Sequence, residues 1–193
     1  MPASEPRWLQ VVGWSDVGKT TVLTAWVQRA CADGQRVAAV KWSHHPVGSA
    51  AGTMAAQDAG KDAERLYDAG ARPVFRVGPD GWVELGAGPA RRDIGGAHGV
   101  PRSLLDRWGA LEVDWLVAEG GRGLAAPKIV LAPEEPPDVA PPVVMWLGPR
   151  PPSPLLAEGW RAAWRSPGDA SRLIWDRRLA VSAPLSRVLA ALG

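Results

Sequence analysis

Residues 11–21 read VVGWSDVGKTT and fit the pattern G-x-x-x-x-G-K-[ST], which is typical of loops that bind nucleotide phosphates. The apolar run at 8–12 predicts a short buried strand before the loop, and apolar residues at helical spacing predict a helix after it. Gly13 and Gly18 let the backbone turn so that successive N–H groups point into one concavity at the helix N-terminus. The stretch therefore predicts a P-loop between a strand and a helix.

Individual residues of this loop have separate expected roles. Lys19 can reach the β- and γ-phosphates, and the Thr20 hydroxyl can ligate Mg²⁺. Lys19, Mg²⁺ and the backbone N–H groups would together stabilise phosphate charge. The predicted nucleotide-binding residues of the loop are Gly13, Trp14, Ser15, Asp16, Val17, Gly18, Lys19, Thr20 and Thr21.

The composition indicates a single globular domain, residues 1–193, with a proline-rich segment at 132–154 inside it. The chain has 193 residues, of which 46% are hydrophobic and 22% charged. A net charge of +2 without a run of Lys or Arg argues against a nucleic-acid partner. No apolar run approaches the ~18 residues of a membrane helix. The start MPASEPRW has no signal-peptide core, so we expect a cytoplasmic protein without a membrane partner.

The cysteine and tryptophan contents are unusual. Cys31 is the only cysteine, which excludes an internal disulfide and a cysteine-based zinc site. We expect Cys31 to have a packing role in the first helix. The chain has 11 Trp beside one Tyr and one Phe, and we expect Trp to take core positions that Phe usually fills.

The order of predicted elements indicates an α/β protein with a P-loop NTPase three-layer fold, a mostly parallel central sheet and an added hairpin. Residues 36–42 predict a second strand, and a strand, a helix and a strand in succession are typical of a parallel βαβ unit. Residues 46–59 lack a clear period and predict a mobile loop. Further strands are expected at 73–77, 81–85, 113–121, 127–131 and 143–147, and helices at 57–69, 101–108, 155–164 and 184–192, with 171–180 left open.

Glu119 lies where a P-loop nucleotidase needs an acid for the Mg²⁺-bound water. It directly follows an apolar strand, and the carboxyl ends of parallel strands meet at the edge where phosphates bind. We therefore assign catalytic roles to Lys19 and Glu119 and metal-ligand roles to Thr20 and Glu119. A loop-capping carboxylate is the alternative for Glu119, and Asp114 at the other end of the strand is a poorer candidate.

Two further groups of polar residues could reach the same site. Lys41, His44 and His45 follow the second strand and could contact phosphate or a pterin, bind metal, or be ordinary loop residues. Adjacent residues on an extended strand point opposite ways, so the two histidines cannot easily share one metal. Lys61 and Asp62 could contact an anionic ligand or form a solvated helix face.

Four segments in order resemble the molybdopterin-guanine dinucleotide biosynthesis protein B (MobB) family. They are the P-loop GWSDVGKTT; VKWSHH, similar to that family's K-H-x-H-H; GKDAERLYDAGA, similar to G-K-D-S-x-R-x-x-x-A-G-A; and DWLVAEGGRGLAAPKIVL, similar to D-L-V-L-V-E-G-F-K…P-K-I-x-V. The resemblance covers residues 8 to about 131. The chain departs from the pattern at Trp42, at Pro46 and at Gly121–Arg122, where Phe–Lys is usual, and it has no N-K-x-D box to fix guanine selectivity.

The resemblance implies a P-loop fold of the class that includes nickel- and cobalamin-linked GTPases. It also implies that the chain binds GTP, hydrolyses it weakly and assists the attachment of GMP to molybdopterin. A homodimer beside a nucleotidyltransferase partner follows from the same resemblance, with molybdopterin as a second ligand. By the same resemblance, phosphate and Mg²⁺ contacts fall to Gly13, Gly18, Lys19, Thr20 and Thr21, and the site is lined by Lys41, His44, His45, Lys61, Asp62, Glu119 and Gly120.

Other functions fit the same motif. A small-molecule kinase would use Asp62 or His44 as its base and Arg91, Arg92 or Arg102 in a closing lid. A binding module without turnover would use the nucleotide only to order the 46–60 loop and a dimer surface. Nickel delivery rests on His44 and His45 alone and ranks last.

Overall fold

The computed structural model describes residues 5–47, 54–85, 100–132, 139, 142–147, 160–162, 167–176 and 178–192. The strands are β1 (Arg7–Gly13), β2 (Val37–Trp42), β3 (Val74–Gly78), β4 (Gly81–Glu84), β5 (Trp115–Glu119), β6 (Lys128–Leu131), β7 (Val143–Leu147), β8 (Trp160–Ala162) and β9 (Ala183–Pro184). The helices are α1 (Lys19–Ala32), α2 (Met54–Asp68), α3 (Arg102–Gly109), α4 (Pro167–Asp176) and α5 (Leu185–Leu192).

Within the described residues the strands form one sheet in the order β4-β3-β2-β5-β1-β6-β7-β8, and β9 pairs with β1. Strand β1 lies between β5 and β6 and is parallel to both. Among the strands of the described residues, two pairings are antiparallel, that of β4 with β3 and that of β9 with β1. The predicted mostly parallel sheet with an added hairpin is therefore confirmed.

Helices cover both faces of the sheet, which gives the predicted three layers. Helices α1, α2 and α4 pack on one face, and α3 and α5 pack on the other. Strand β1 supplies both cores because its side chains alternate, with Leu9 and Val11 facing α1 and Trp8 facing α3. Burial on both faces explains why β1 reads as a continuous apolar run.

Tryptophans occupy central positions in both cores, as expected from the composition. Trp8, Trp26, Trp82 and Trp108 are at most 1% exposed. The ring of Trp26 on α1 lies 5.1 Å from that of Trp115 on β5 and 5.4 Å from that of Trp175 on α4. Aromatic contacts of this kind contribute about 0.5–1.5 kcal/mol each beyond the area they bury, and these fix α1 and α4 on the sheet.

Several predicted elements differ from the structure. The helix expected at 155–164 is wrong at 160–162, where the backbone pairs in parallel with β7 as strand β8. The loop expected at 46–59 is wrong at 54–59, because α2 already begins at Met54; residues 48–53 lie outside the described residues. The region left open at 171–180 is helical through Asp176 as the end of α4. The strand at 143–147 is confirmed, and most of the proline-rich segment around it lies outside the described residues.

The last described segment returns to the start of β1. Strand β9 pairs with Arg7 and Trp8, on the edge of β1 that β6 occupies further along. The Arg7 Nε donates to Ser182 Oγ at 2.8 Å, and the Leu185 N–H donates to the carbonyl of Pro6 at 2.7 Å. This segment thereby covers the entry to the strand that leads into the P-loop. Among the described residues, none of the helices has the length and apolar character that a membrane span requires.

Candidate functional site

The P-loop connects β1 to α1 and depends on its two glycines. Gly18 adopts φ 86° at the N-cap of α1, a left-handed conformation that glycine adopts without steric cost, and its carbonyl accepts from the Val22 N–H at 2.9 Å. A Cβ on Gly13 would lie 2.3 Å from the carbonyl oxygen of Leu131. Only glycine therefore lets the loop leave the sheet this close to β6.

A polar cavity of about 310 Å³ opens beside this loop. It lies at the carboxyl ends of β2 and β5, where ligands of open α/β sheets bind. The wall is built from the P-loop, β2, α2 and β5. Its lining residues are Ser15, Asp16, Gly18, Lys19, Thr20, Thr21, Lys41, Asp62, Arg65 and Glu119.

Lys19 is held within the loop itself. Its ammonium group donates to the backbone carbonyl of Trp14. Burial lowers the pKa of Lys19, and the nearby Glu119 carboxylate acts in the opposite direction. A phosphate oxygen would give this ammonium a stronger, charged acceptor than the Trp14 carbonyl.

A continuous chain of polar contacts links the loop to β2 and α2. The Thr20 hydroxyl donates to Glu119 Oε2 at 2.8 Å, and Lys41 donates both to Glu119 Oε1 and to Asp62 Oδ2, the latter at 2.7 Å. Glu119 is 1% exposed, so its charge depends on these partners. Burial acts to lower the pKa of Lys41, but Glu119 and Asp62 outweigh it and raise that pKa.

The donor set fits magnesium. Thr20 and Glu119 place a hydroxyl and a carboxylate oxygen 2.8 Å apart at the P-loop, and oxygen ligands of this kind are those that Mg²⁺ prefers. Among the residues described, no group of three or more His, Cys, Asp or Glu could hold a metal ion by itself. Phosphate oxygens and water would therefore have to complete the coordination, as is usual for Mg²⁺ in nucleotide sites.

The structure brings some of the predicted site residues together and leaves others apart. Lys41, Asp62 and Glu119 meet the P-loop in the cavity wall. His44, His45 and Lys61 are exposed and do not line the cavity. Gly13, Trp14, Val17 and Gly120 adjoin the wall through the backbone but do not line it either.

Of the three arginines expected in a kinase lid, Arg102 lies within the described residues, and it does not line the cavity. Arg102 lies on α3, on the opposite sheet face from α1, with its Nε 3.2 Å from Asp106 Oδ1. Arg91 and Arg92 lie outside the described residues. Within the described part of the chain, no observation favours the kinase hypothesis.

Two functional positions were missed from the sequence. Arg65 lines the cavity, and its Nη2 donates to Thr21 Oγ1 at 3.1 Å while its Nη1 lies 3.9 Å from Asp62 Oδ1. Its spacing of three residues from Asp62 on one helix face was the available signal.

Gln10 is fully buried in β1, and its Nε2 donates to the carbonyls of Gly120 and Gly121 at 2.7 and 2.9 Å. This contact fixes the turn that follows Glu119.

A buried lysine supports the same loop from the other end. Lys128 on β6 is 0% exposed, and its Nζ donates to the carbonyl of Leu124 at 2.6 Å. Burial lowers the pKa of Lys128 from 10.5 to about 8. The segment between β5 and β6 is thereby tied at both ends, by Gln10 after Glu119 and by Lys128 before β6.

This sheet order, with a P-loop leading into α1 and an acid at the end of β5, defines a P-loop NTPase-like α/β protein. A solved structure of Bacillus subtilis MobB shares the fold, with a TM-score of 0.51 and 21% identity over 89% of this chain and 97% of that one. The family model described as Molybdopterin guanine dinucleotide synthesis protein B matches residues 8–141. The chain therefore belongs to the MobB family.

Two curated relatives match in sequence. The "Molybdopterin-guanine dinucleotide biosynthesis adapter protein" of Escherichia coli (strain K12) is 28% identical over 123 residues, which are 64% of this chain and 63% of the relative. The "Probable molybdopterin-guanine dinucleotide biosynthesis adapter protein" of Bacillus subtilis (strain 168) is 32% identical over 127 residues, 66% of this chain and 65% of the relative. The match thus spans less than two thirds of either relative's length.

Proposed function

We propose that this chain binds GTP with Mg²⁺ in the P-loop cavity and acts as an adapter in the attachment of GMP to molybdopterin. The observation that carries the proposal is the Thr20–Glu119 contact of 2.8 Å, which joins the metal-ligating hydroxyl of a P-loop to an acid at the end of the neighbouring strand. The names of the two relatives, both adapters of molybdopterin-guanine dinucleotide biosynthesis, support the pathway.

Binding requires the side chains of the cavity to exchange their partners. Lys19 leaves the carbonyl of Trp14 for a phosphate oxygen, and the backbone N–H groups of the loop receive the remaining phosphate charge. Thr20 and Glu119 would hold Mg²⁺, which supplies positive charge that offsets the phosphate oxygens. Glu119 Oε1 must then part from Lys41, which leaves this ammonium available to the ligand.

The environment of Glu119 supports slow hydrolysis. Both of its oxygens already accept hydrogen bonds, one from Thr20 and one from Lys41. In that arrangement neither oxygen is free to take a proton from an attacking water, and with Mg²⁺ bound Glu119 would serve the ion rather than act as a base. We propose that nucleotide binding, and not rapid turnover, is the property the adapter uses.

The partners follow from the same proposal. A homodimer, a nucleotidyltransferase that transfers GMP, and molybdopterin as the second ligand would all act with the nucleotide-bound chain. A cytoplasmic location would suit this work. The cavity wall contains Lys41 and Arg65, which are cations suited to phosphate on either ligand.

The direct test is nucleotide binding measured by titration calorimetry with Mg²⁺ and a non-hydrolysable GTP analogue. Lys19→Ala should weaken binding by at least about 30-fold, because it removes a charge-assisted contact to phosphate. Arg187→Ala, an exposed cation on α5 across the sheet, is the matched control and should bind as the unchanged chain does. Equal affinities of the Lys19 variant and the unchanged chain would refute the proposal.

A further inference from the structure

Two cations converge on Trp14 at the rim of the phosphate cavity. Lys19 donates to the backbone carbonyl of Trp14, and the guanidinium carbon of Arg122 lies 5.2 Å from the centre of its ring. Trp14 is 46% exposed, so the ring stands at the surface of the loop. Lys19 is expected to leave this residue for phosphate, and Arg122 contacts the ring of the same residue.

The backbone places Arg122 close to the cavity. It lies in the loop that directly follows Glu119, whose carboxylate lines the cavity. The preceding carbonyls of Gly120 and Gly121 are fixed by Gln10. On the other side, a Cβ added to Gly123 would meet no atom within 4 Å. The backbone that precedes Arg122 is thus fixed beside the site, and there is open space at the Cβ position of Gly123, which follows it.

The charges of the cavity leave a role for one more cation. Within the described part of the chain, no carboxylate lies within ion-pair distance of Arg122; its contact there is the Trp14 ring. A triphosphate keeps net negative charge even when Mg²⁺ is bound, and its terminal phosphate carries more charge than either of the other two phosphates. In the wall itself the cations Lys19, Lys41 and Arg65 are already balanced by the anions Asp16, Asp62 and Glu119.

We propose that Arg122 leaves the Trp14 ring when a nucleoside triphosphate binds and pairs with its terminal phosphate. A guanidinium presents two parallel donors to phosphate, and such a charge-assisted pair is stronger than a cation–π contact on an exposed ring. Arg122 is therefore the residue that distinguishes the triphosphate from the diphosphate. This inference rests on the proposed nucleotide site and identifies the residue that contacts the third phosphate of the nucleotide bound there.

Titration calorimetry of the full chain tests this with two probes, β,γ-imido-GTP and GDP, each with Mg²⁺. Arg122→Ala should weaken binding of the triphosphate analogue at least about 10-fold and change GDP binding less than about 2-fold. Arg122→Lys keeps the charge without the planar pair of donors, and its affinity for the triphosphate analogue should lie between those of the unchanged chain and Arg122→Ala. Arg102→Ala, a 73% exposed arginine on α3, is the control and should match the unchanged chain for both probes.

The outcomes separate this inference from the proposed function. If the unchanged chain binds both probes and Arg122→Ala weakens neither, or weakens both equally, the assignment of Arg122 is wrong and the nucleotide site stands. If the unchanged chain binds neither probe, the proposed function fails and this inference with it. A thermal melt of each variant verifies folding, and should Arg122→Ala unfold, the ratio of the two affinities in Arg122→Lys decides the question.

Discussion

Replacing Lys41 with Met removes a charge that joins α2 to β5 across the cavity. Met keeps much of the aliphatic stem, so the change is mainly electrostatic. Lys41 donates to Asp62 at 2.7 Å and to Glu119, and the side chains of Lys41 and Glu119 are 11% and 2% exposed. The variant therefore leaves a buried carboxylate without this cation, with the Thr20 hydroxyl as its remaining partner among the described residues.

The expected loss of stability follows from this burial. Removing one partner of a buried ion pair costs about 3–5 kcal/mol, and the lower end applies because Glu119 keeps Thr20 and Asp62 is partly exposed. For a domain of this size each 1 kcal/mol lowers Tm by about 2–4 °C. Lys41→Met should therefore melt about 6–12 °C below the unchanged chain.

Thermal melts without nucleotide provide the assay, and the chain offers a matched control. Arg36 and Asp114 form an ion pair at 3.3 Å at the opposite ends of the same two strands, with side chains 52% and 27% exposed. Arg36→Met should cost less than about 1 kcal/mol because exposed pairs contribute little. Adding Glu119→Gln to Lys41→Met should recover much of the loss, since position 119 then carries no charge to be left unpaired.

Mg²⁺ gives a second measurement on the same variants. With Lys41 removed, Glu119 no longer has a competing cation, so Mg²⁺ should raise the Tm of Lys41→Met more than that of the unchanged chain. The stabilising role of the buried ion pair is refuted if Lys41→Met melts within about 2 °C of Arg36→Met. It is also refuted if adding Glu119→Gln to Lys41→Met does not raise the Tm.

Two further predictions concern positions around the site. Folding lowers the pKa of Lys128 from 10.5 to about 8, so between these pH values the unfolded chain binds more protons than the folded chain. The free energy of unfolding should therefore rise with pH across that window, by at most about 3 kcal/mol. Urea melts at pH 7.5 and 9.5 measure this rise. The free energy of unfolding should increase more between these pH values for the unchanged chain than for Lys128→Met, and equal increases in the two chains would contradict the prediction. Gly13→Ala should cost about 3 kcal/mol and abolish nucleotide binding, since its Cβ would lie 2.3 Å from the carbonyl of Leu131, whereas Gly123→Ala has open space and should be neutral. Calorimetric melts and nucleotide titrations compare the two glycine variants, and equal behaviour would overturn the steric argument.

Local signals were sufficient for the first half of the fold. The buried strand before the P-loop and the helix after it depend on residues close in sequence, and both are confirmed. The same holds for the β3–β4 hairpin, whose turn residues lie between its strands. The position of Glu119 beside the P-loop was also predictable, because parallel strands share one carboxyl edge.

Long-range pairing decided the parts that were wrong or missed. Trp160 and Trp164 have the spacing of a helix face, but β7 offers backbone hydrogen bonds and residues 160–162 take them as β8. Strand β9 is only 2 residues long and gives no pattern by itself. The roles of Lys128 and Arg65 were not predicted, because they depend on burial by the folded sheet and, for Arg65, on contact with Thr21 of α1.

The position of β1 has a consequence for synthesis on the ribosome. The P-loop is translated before the strands on either side of β1, which begin only at Trp115 and Lys128. A nascent chain that stops before these strands has no sheet against which the loop can close, because the contacts that shape it join residues distant in sequence. The chain should therefore gain its affinity for nucleotide abruptly, when β6 leaves the exit tunnel, and not gradually as it grows.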